Sequence, residues 1–164
     1  TPSVTREASR INQRQIDRLL VRMAARLHIG KETRVTVLGL AYKAETDDVR
    51  DSPSITLVKS LLDLGAIVTV HDPRAIRSAK QLLGERVIYA ESLEDAVETA
   101  QVCVVLVGWR AYKDLSPLWF EQHLPVGCCV VDIRRIWTDL AQMKRIRYVV
   151  VGVDEKTYAH DPSC

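Results

Sequence analysis

Apolar residues fall in short bursts along this chain, and the bursts alternate between strand-like runs and helical spacing. Val35 to Leu40 is a β-branched and apolar run closed around Gly39, the pattern of a strand covered on both faces. Beyond it, Ile55, Leu57, Val58, Leu61 and Leu62 recur on one helical face. Ser52-Pro53 marks the start of that helix: the serine oxygen accepts from an orphan amide, and proline gives up a donor that had no partner. Gly65 ends the helix, and Ala66 to His71 reads as a second strand. A helix through Ala79 and Leu82 and a brief strand at Val87 to Tyr89 follow. Ser92 caps the next helix, whose positive end suits Glu94 and Asp95. Val102 to Val107 is continuous and apolar, and so is expected at the centre of a sheet. Ser116-Pro117 opens a short helix ending near Leu124, and Cys128 to Asp132 and Tyr148 to Val151 supply the last strands. Strands alternating with helices in this way predict an α/β fold with a parallel, doubly wound sheet.

The first 29 residues stand outside that alternation. Ile16, Leu19, Leu20, Met23 and Leu27 recur at helical spacing among arginines and glutamines, and Gly30 is a natural stop. This predicts a long amphipathic helix ahead of the first strand. Its apolar stripe must be buried, either on a second copy of the chain or back on the sheet.

Composition narrows the class. The chain has 164 residues and 47% hydrophobic content, enough for one α/β domain with an appended element but not for a second full domain. A net charge of +2 implies no nucleic-acid partner, while leaving room for a local basic pocket. No apolar run reaches membrane-spanning length and no signal peptide opens the chain, so a soluble cytoplasmic protein without a membrane partner is expected. Cys103, Cys128 and Cys129 lie in strand-like runs, Cys164 is terminal, and none forms a C-x-x-C pair. Buried reduced thiols and no metal site are the expectation.

Candidate chemistry concentrates between the first strand and its helix. A dinucleotide fingerprint needs glycines that let the backbone approach a pyrophosphate, and here only Gly39 is present. Phosphate must then be held by side chains such as Lys43 and Arg50. In a doubly wound sheet the ligand lies beyond the carboxyl ends of the strands where their order reverses. Those strands end at Tyr42-Lys43 and Gly108-Trp109, and the next one along at Asp132 to Arg134. A lysine, an arginine and two aromatic rings on one rim suit a nucleoside diphosphate. Each has a plainer alternative. Lys43 is otherwise a solvated loop residue, Arg50 otherwise pairs with Asp47, Asp48 or Asp51, and for Trp109 packing under a loop is commoner than stacking on a base. Asp72 stands where a ribose-reading carboxylate would, yet with Pro73 beside it reads better as a turn or cap residue.

The run from Gly39 to Pro53, G-L-A-Y-K-A-E-T-D-D-V-R-D-S-P, resembles the signature of the C-terminal nucleotide-binding domain of the UDP-glucose/GDP-mannose dehydrogenase family. Similarity continues through Leu64-Gly65-Ala66, Val70-His71-Asp72-Pro73, Val107-Gly108-Trp109 and Val131-Asp132-Ile133-Arg134. The segments around Asp72-Pro73 and Trp109 resemble the UDP-glucose branch more than the GDP-mannose or UDP-N-acetylmannosamine branches. The family usually carries threonine and glutamate before the tryptophan, where this chain has Val107 and Gly108.

The resemblance implies a Rossmann-like fold over residues 31–164 that binds a UDP-sugar, with residues 1–30 as the end of a central helix that links domains and forms a homodimer. It implies that Tyr42, Lys43 and Arg134 contact the nucleotide-sugar. It also implies that Arg50 faces the phosphates of NAD, which is held mainly by a separate N-terminal NAD-binding domain. The family oxidises a sugar alcohol twice, using NAD and a cysteine nucleophile in a glycine-rich segment. Neither that segment nor the cofactor fingerprint is present, so no catalytic residue is expected here and the chain reads as the C-terminal part of an NAD-dependent nucleotide-sugar 6-dehydrogenase. Two other readings stay open: a stand-alone nucleotide-binding regulatory module, and a dimerisation module with a decayed pocket.

Overall fold

The computed structural model describes residues 25–150 together with Arg14, Arg18 and Val21. The β-branched runs form six strands: β1 (Arg34–Leu38), β2 (Ile67–His71), β3 (Ile88–Tyr89), β4 (Val102–Val105), β5 (Cys129–Asp132) and β6 (Arg147–Val150). All pair in parallel, in the order β3-β2-β1-β4-β5-β6. The chain works outward from β1 to one edge, crosses back, and works outward from β4 to the other. The order therefore reverses between β1 and β4, as in doubly wound sheets. All of β4 and every residue of β1 after Arg34 are buried, Thr36 among them with its hydroxyl donating to the Ala96 carbonyl, so these two strands are covered on both faces.

The helices are α1 (Pro53–Asp63), α2 (Ile76–Leu83), α3 (Leu93–Val97), α4 (Arg110–Lys113) and α5 (Pro117–His123), with a 3-10 turn at Thr138–Gln142. Three begin on a serine whose oxygen accepts a backbone N–H: Ser52 from Ser54, Ser92 from Asp95 and Ser116 from Trp119. At the far end of α1, Gly65 takes φ +83°, the Gly65 amide donates to Leu62, and the Ala66 amide donates to Leu61. That pairing is a Schellman close, and it turns the chain directly into β2.

The expected helix through Ala79 and Leu82 is α2, and three details of the helices go beyond the sequence pattern. In α2 the core-facing stripe is Ala75, Ala79 and Leu83, spaced by four, so Leu83 is buried while Leu82 stays 47% exposed. The first helix ends at residue 27, where His28 rather than Gly30 takes the left-handed position (φ 51°), and Gly30 instead donates its amide to Thr33 Oγ1. The short α4 had no periodic signal, because a four-residue element carries only one buried side chain, Tyr112. Of the predicted apolar stripe, Leu27 packs on the core, whereas Ile16, Leu19, Leu20 and Met23 lie outside the described residues, as do Val151 and Cys164. No helix among the described residues is long and apolar enough to cross a membrane.

Candidate functional site

The turn after β1 is closed by a carboxylate from the neighbouring strand. Asp72, one residue beyond β2 and 3% exposed, accepts five hydrogen bonds. Its Oδ2 takes the amides of Leu40 (2.7 Å) and Ala41 (3.1 Å) and Nε1 of Trp109 (3.1 Å), and its Oδ1 takes the amides of Arg74 (2.9 Å) and Ala75 (2.7 Å). Asp72 is thus the turn and cap residue. The amides that a dinucleotide fold turns toward a pyrophosphate are here satisfied by the protein's own anion. Gly39 serves packing instead: with φ +91°, a Cβ on it would stand 2.5 Å from Cβ of Val107. Its missing side chain lets the ends of β1 and β4 touch.

Trp109 is not on the rim. Its ring is buried and tied to Asp72, with the Arg74 guanidinium 5.9 Å from its centroid, so the packed alternative holds and only Tyr42 offers an exposed ring. Tyr42 is 51% exposed, and its amide donates to the Asp48 carbonyl (2.8 Å), folding the loop back on itself.

At the reversal point an open cleft of about 300 Å³ is lined by Tyr42 and Lys43 from the β1 loop, Val107 and Gly108 after β4, Lys113 of α4, and Arg134 after β5. The three sequence-derived residues Tyr42, Lys43 and Arg134 therefore meet in one place. Lys113 joins them without having been anticipated; the available signal was a lysine one helical turn past Trp109. Among the described residues no carboxylate lines the cleft, and none pairs with Lys43, Lys113 or Arg134. An apolar wall with three unpaired cations and a phenol, at the small end of ligand-site volumes, can hold a phosphate-bearing small molecule.

A second buried aspartate sets the position of Arg134. Asp132, at the end of β5, accepts from the amides of Arg134 (3.1 Å) and Trp137 (2.8 Å) and from the Tyr148 hydroxyl (2.8 Å). Burial and that bond to Asp132 push the Tyr148 phenol up. Trp137 in turn donates Nε1 to the Tyr112 carbonyl (2.7 Å), while the Tyr112 hydroxyl lies 3.0 Å from Nδ1 of His71 and 3.1 Å from its carbonyl. This chain of contacts ties α4 to both β2 and β5. Asp72 and Asp132 share a sequence signal, an acid closing an apolar strand.

Arg50 does not reach the cleft. Its side chain is 85% exposed and forks onto Asp48, with Nε to Oδ1 at 2.9 Å and Nη2 to Oδ2 at 2.7 Å. These bonds hold the Asp48 carboxyl down at about 2 and raise the guanidinium further. Of the three loop acids weighed as its partners, Asp48 is the one that engages it. Arg135 is exposed, with φ 53°. The described thiols are buried and stay protonated: burial raises Cys103 strongly, pushes Cys128 up to about 12 and Cys129 up to about 11. None has the depressed thiol that nucleophilic attack requires.

Residues 36–139 match the model of the UDP-glucose/GDP-mannose dehydrogenase family, UDP binding domain. The chain is 37% identical over 126 residues to a UDP-glucose 6-dehydrogenase of Rickettsia conorii, covering 74% of this chain and 28% of that one. It is 33% identical over 136 residues to UDP-glucose 6-dehydrogenase TuaD of Bacillus subtilis, covering 82% and 28%. Among solved structures it is similar to a UDP-glucose dehydrogenase of Pyrobaculum islandicum (TM-score 0.67, 30% identity, 87% of this chain and 29% of that one). It is also similar to an NDP-N-acetyl-D-galactosaminuronic acid dehydrogenase of Methanosarcina mazei (TM-score 0.72, 27% identity, 91% and 31%). The chain thus spans under a third of the length of these relatives. With its reversal-point cleft, its side-chain cations and a match over most of its described length, the chain belongs to the UDP-glucose/GDP-mannose dehydrogenase family, within the part described as the UDP binding domain.

Proposed function

We propose that this chain is the C-terminal UDP-sugar-binding part of an NAD-dependent nucleotide-sugar dehydrogenase of the UDP-glucose to UDP-glucuronate type, contributing substrate binding and no catalytic group. The single observation that carries the reading is the cleft at the β1/β4 reversal, where three cations converge with no carboxylate among its lining residues. In it, the Lys43 ammonium and Arg134 guanidinium hold the diphosphate and the Tyr42 ring lies against base or sugar.

NAD does not suit this domain's own β1 turn, because Asp72 already takes the Leu40 and Ala41 amides. Bound by a partner N-terminal domain, NAD supplies hydride acceptance. Arg50, fixed by Asp48 and open to solvent, suits that cofactor's phosphates. Residues 1–30 serve as the end of the linking helix and a homodimer contact, on the strength of their apolar stripe, and residues 31–164 as the nucleotide-sugar domain in a cytoplasmic enzyme. A sedimentation series giving only monomer at high concentration would remove the dimer contact.

Calorimetry tests the reading. The isolated chain should bind UDP-glucose and form no NADH, and Lys43→Ala and Arg134→Ala should each weaken binding by about 1.5–3 kcal/mol without lowering the melting temperature. Absence of heat with UDP or UDP-glucose, or tighter binding of GDP-mannose, would overturn it.

A further inference from the structure

We propose that Lys113 is a third ligand for the diphosphate, and that its access to the cleft depends on position 108 carrying nothing longer than a methyl. This deepens the reading of the cleft as a nucleoside-diphosphate site and rests on it. The backbone under Lys113 is fixed on several sides: its own amide donates to the Trp109 carbonyl (3.1 Å), and the preceding Tyr112 is fully buried, bonded to His71 and Trp137. A lysine on so fixed a base has its reach set by its stem alone. That stem crosses Gly108, because a Cβ built there would lie 3.2 Å from Cε and 3.7 Å from Nζ of Lys113. Any longer side chain at position 108 would compete for the space the ammonium now uses, and an acidic one would pair with it.

The surrounding charges leave the ammonium to a ligand. The neighbouring acid Asp114 is engaged by Arg110 (3.4 Å), and no carboxylate among the described residues lines the cleft. Three like charges in one cleft repel one another, and a ligand with at least two negative charges relieves that repulsion. A neutral nucleoside would gain nothing from Lys113, and a diphosphate would gain most.

The test titrates the intact chain with uridine, uridine 5′-monophosphate and uridine 5′-diphosphate at one ionic strength. Lys113→Gln should weaken the diphosphate about tenfold, the monophosphate less and uridine not at all, with an unchanged melting temperature. Lys113→Arg should recover most of the loss. Gly108→Glu should weaken the diphosphate at least as much as Lys113→Gln, whereas Gly108→Ala, whose methyl meets the flexible end of the lysine at 3.2 Å and Ile136 Cγ2 at an ordinary 3.8 Å, should bind nearly as the parent does. Equal losses for diphosphate and uridine, or an unchanged diphosphate affinity in Lys113→Gln, would overturn the proposal and leave the site reading standing. No binding of the diphosphate by the parent chain would overturn both.

Discussion

Replacing Asp72 by asparagine changes one atom and tests whether the buried carboxylate organises the site. The carboxylate accepts five hydrogen bonds, three on Oδ2 and two on Oδ1. An amide has the same shape but only one oxygen, so one end must turn N–H groups toward N–H donors. The cheaper orientation keeps the oxygen on Leu40, Ala41 and Trp109 and gives up Arg74 and Ala75. Two lost bonds to a charged acceptor, at about 1.5 kcal/mol each, cost about 3 kcal/mol. Against a total stability of about 5–15 kcal/mol this is a large loss, equivalent to a fall of about 10 °C in melting temperature. Urea unfolding with matched m-values measures it directly. Affinity for UDP should fall as well, because Tyr42 and Lys43 directly follow the two tethered amides. A loss under about 1 kcal/mol would mean that water replaces the missing partners and that Asp72 is not the tie. A large stability loss with unchanged affinity would separate the network from the cleft.

Three further outcomes are expected. Gly39→Ala should destabilise by about 2–4 kcal/mol, since its Cβ would stand 2.5 Å from Val107 at a left-handed φ, and urea unfolding checks this. In the full-length enzyme, Arg50→Ala should raise the NAD requirement strongly and the UDP-glucose requirement little, and steady-state kinetics with both substrates varied will distinguish this from a purely loop-ordering role. Burial lowers the titration of His71, against the pull of Asp72 and Glu94, so the folded state holds the ring neutral below its ordinary 6.5. The unfolded chain then binds more protons, and stability should fall as the pH drops below about 6.5 until the folded ring itself protonates. His71→Gln should flatten that limb of the stability–pH curve.

Most of the frame could be read from the chain because it is written in local patterns. The β-branched run of β1 and the unbroken apolar run of β4 marked the centre of the sheet, and the serine caps with Pro53 and Pro117 marked helix starts, each by chemistry that acts within a few residues. The cleft was legible to the extent that topology dictates it: strand ends at Tyr42-Lys43 and at Asp132 to Arg134 had to meet once the order reversed between β1 and β4. What escaped depends on orientation and on long-range partners. Trp109 packs inward as tryptophans commonly do, but its partner Asp72 lies 37 residues away, a pairing that spacing does not encode. Lys113 enters the cleft only because Tyr112 and Trp137 fix α4 and Gly108 leaves room, three conditions set in different parts of the chain. Leu82 and Leu83 are adjacent and alike in type, so the choice of inner face fell to packing with Ala75 and Ala79.

Side-chain cations, rather than the amides after β1, are expected to hold the diphosphate. The most direct measurement is a crystal structure of the chain soaked with UDP-glucose. The diphosphate is expected within about 3.2 Å of Lys43 Nζ and the Arg134 guanidinium, with Asp72 still bonded to the Leu40 and Ala41 amides. A diphosphate seated on those amides with Asp72 displaced, or bound away from the β1/β4 reversal, would contradict the account.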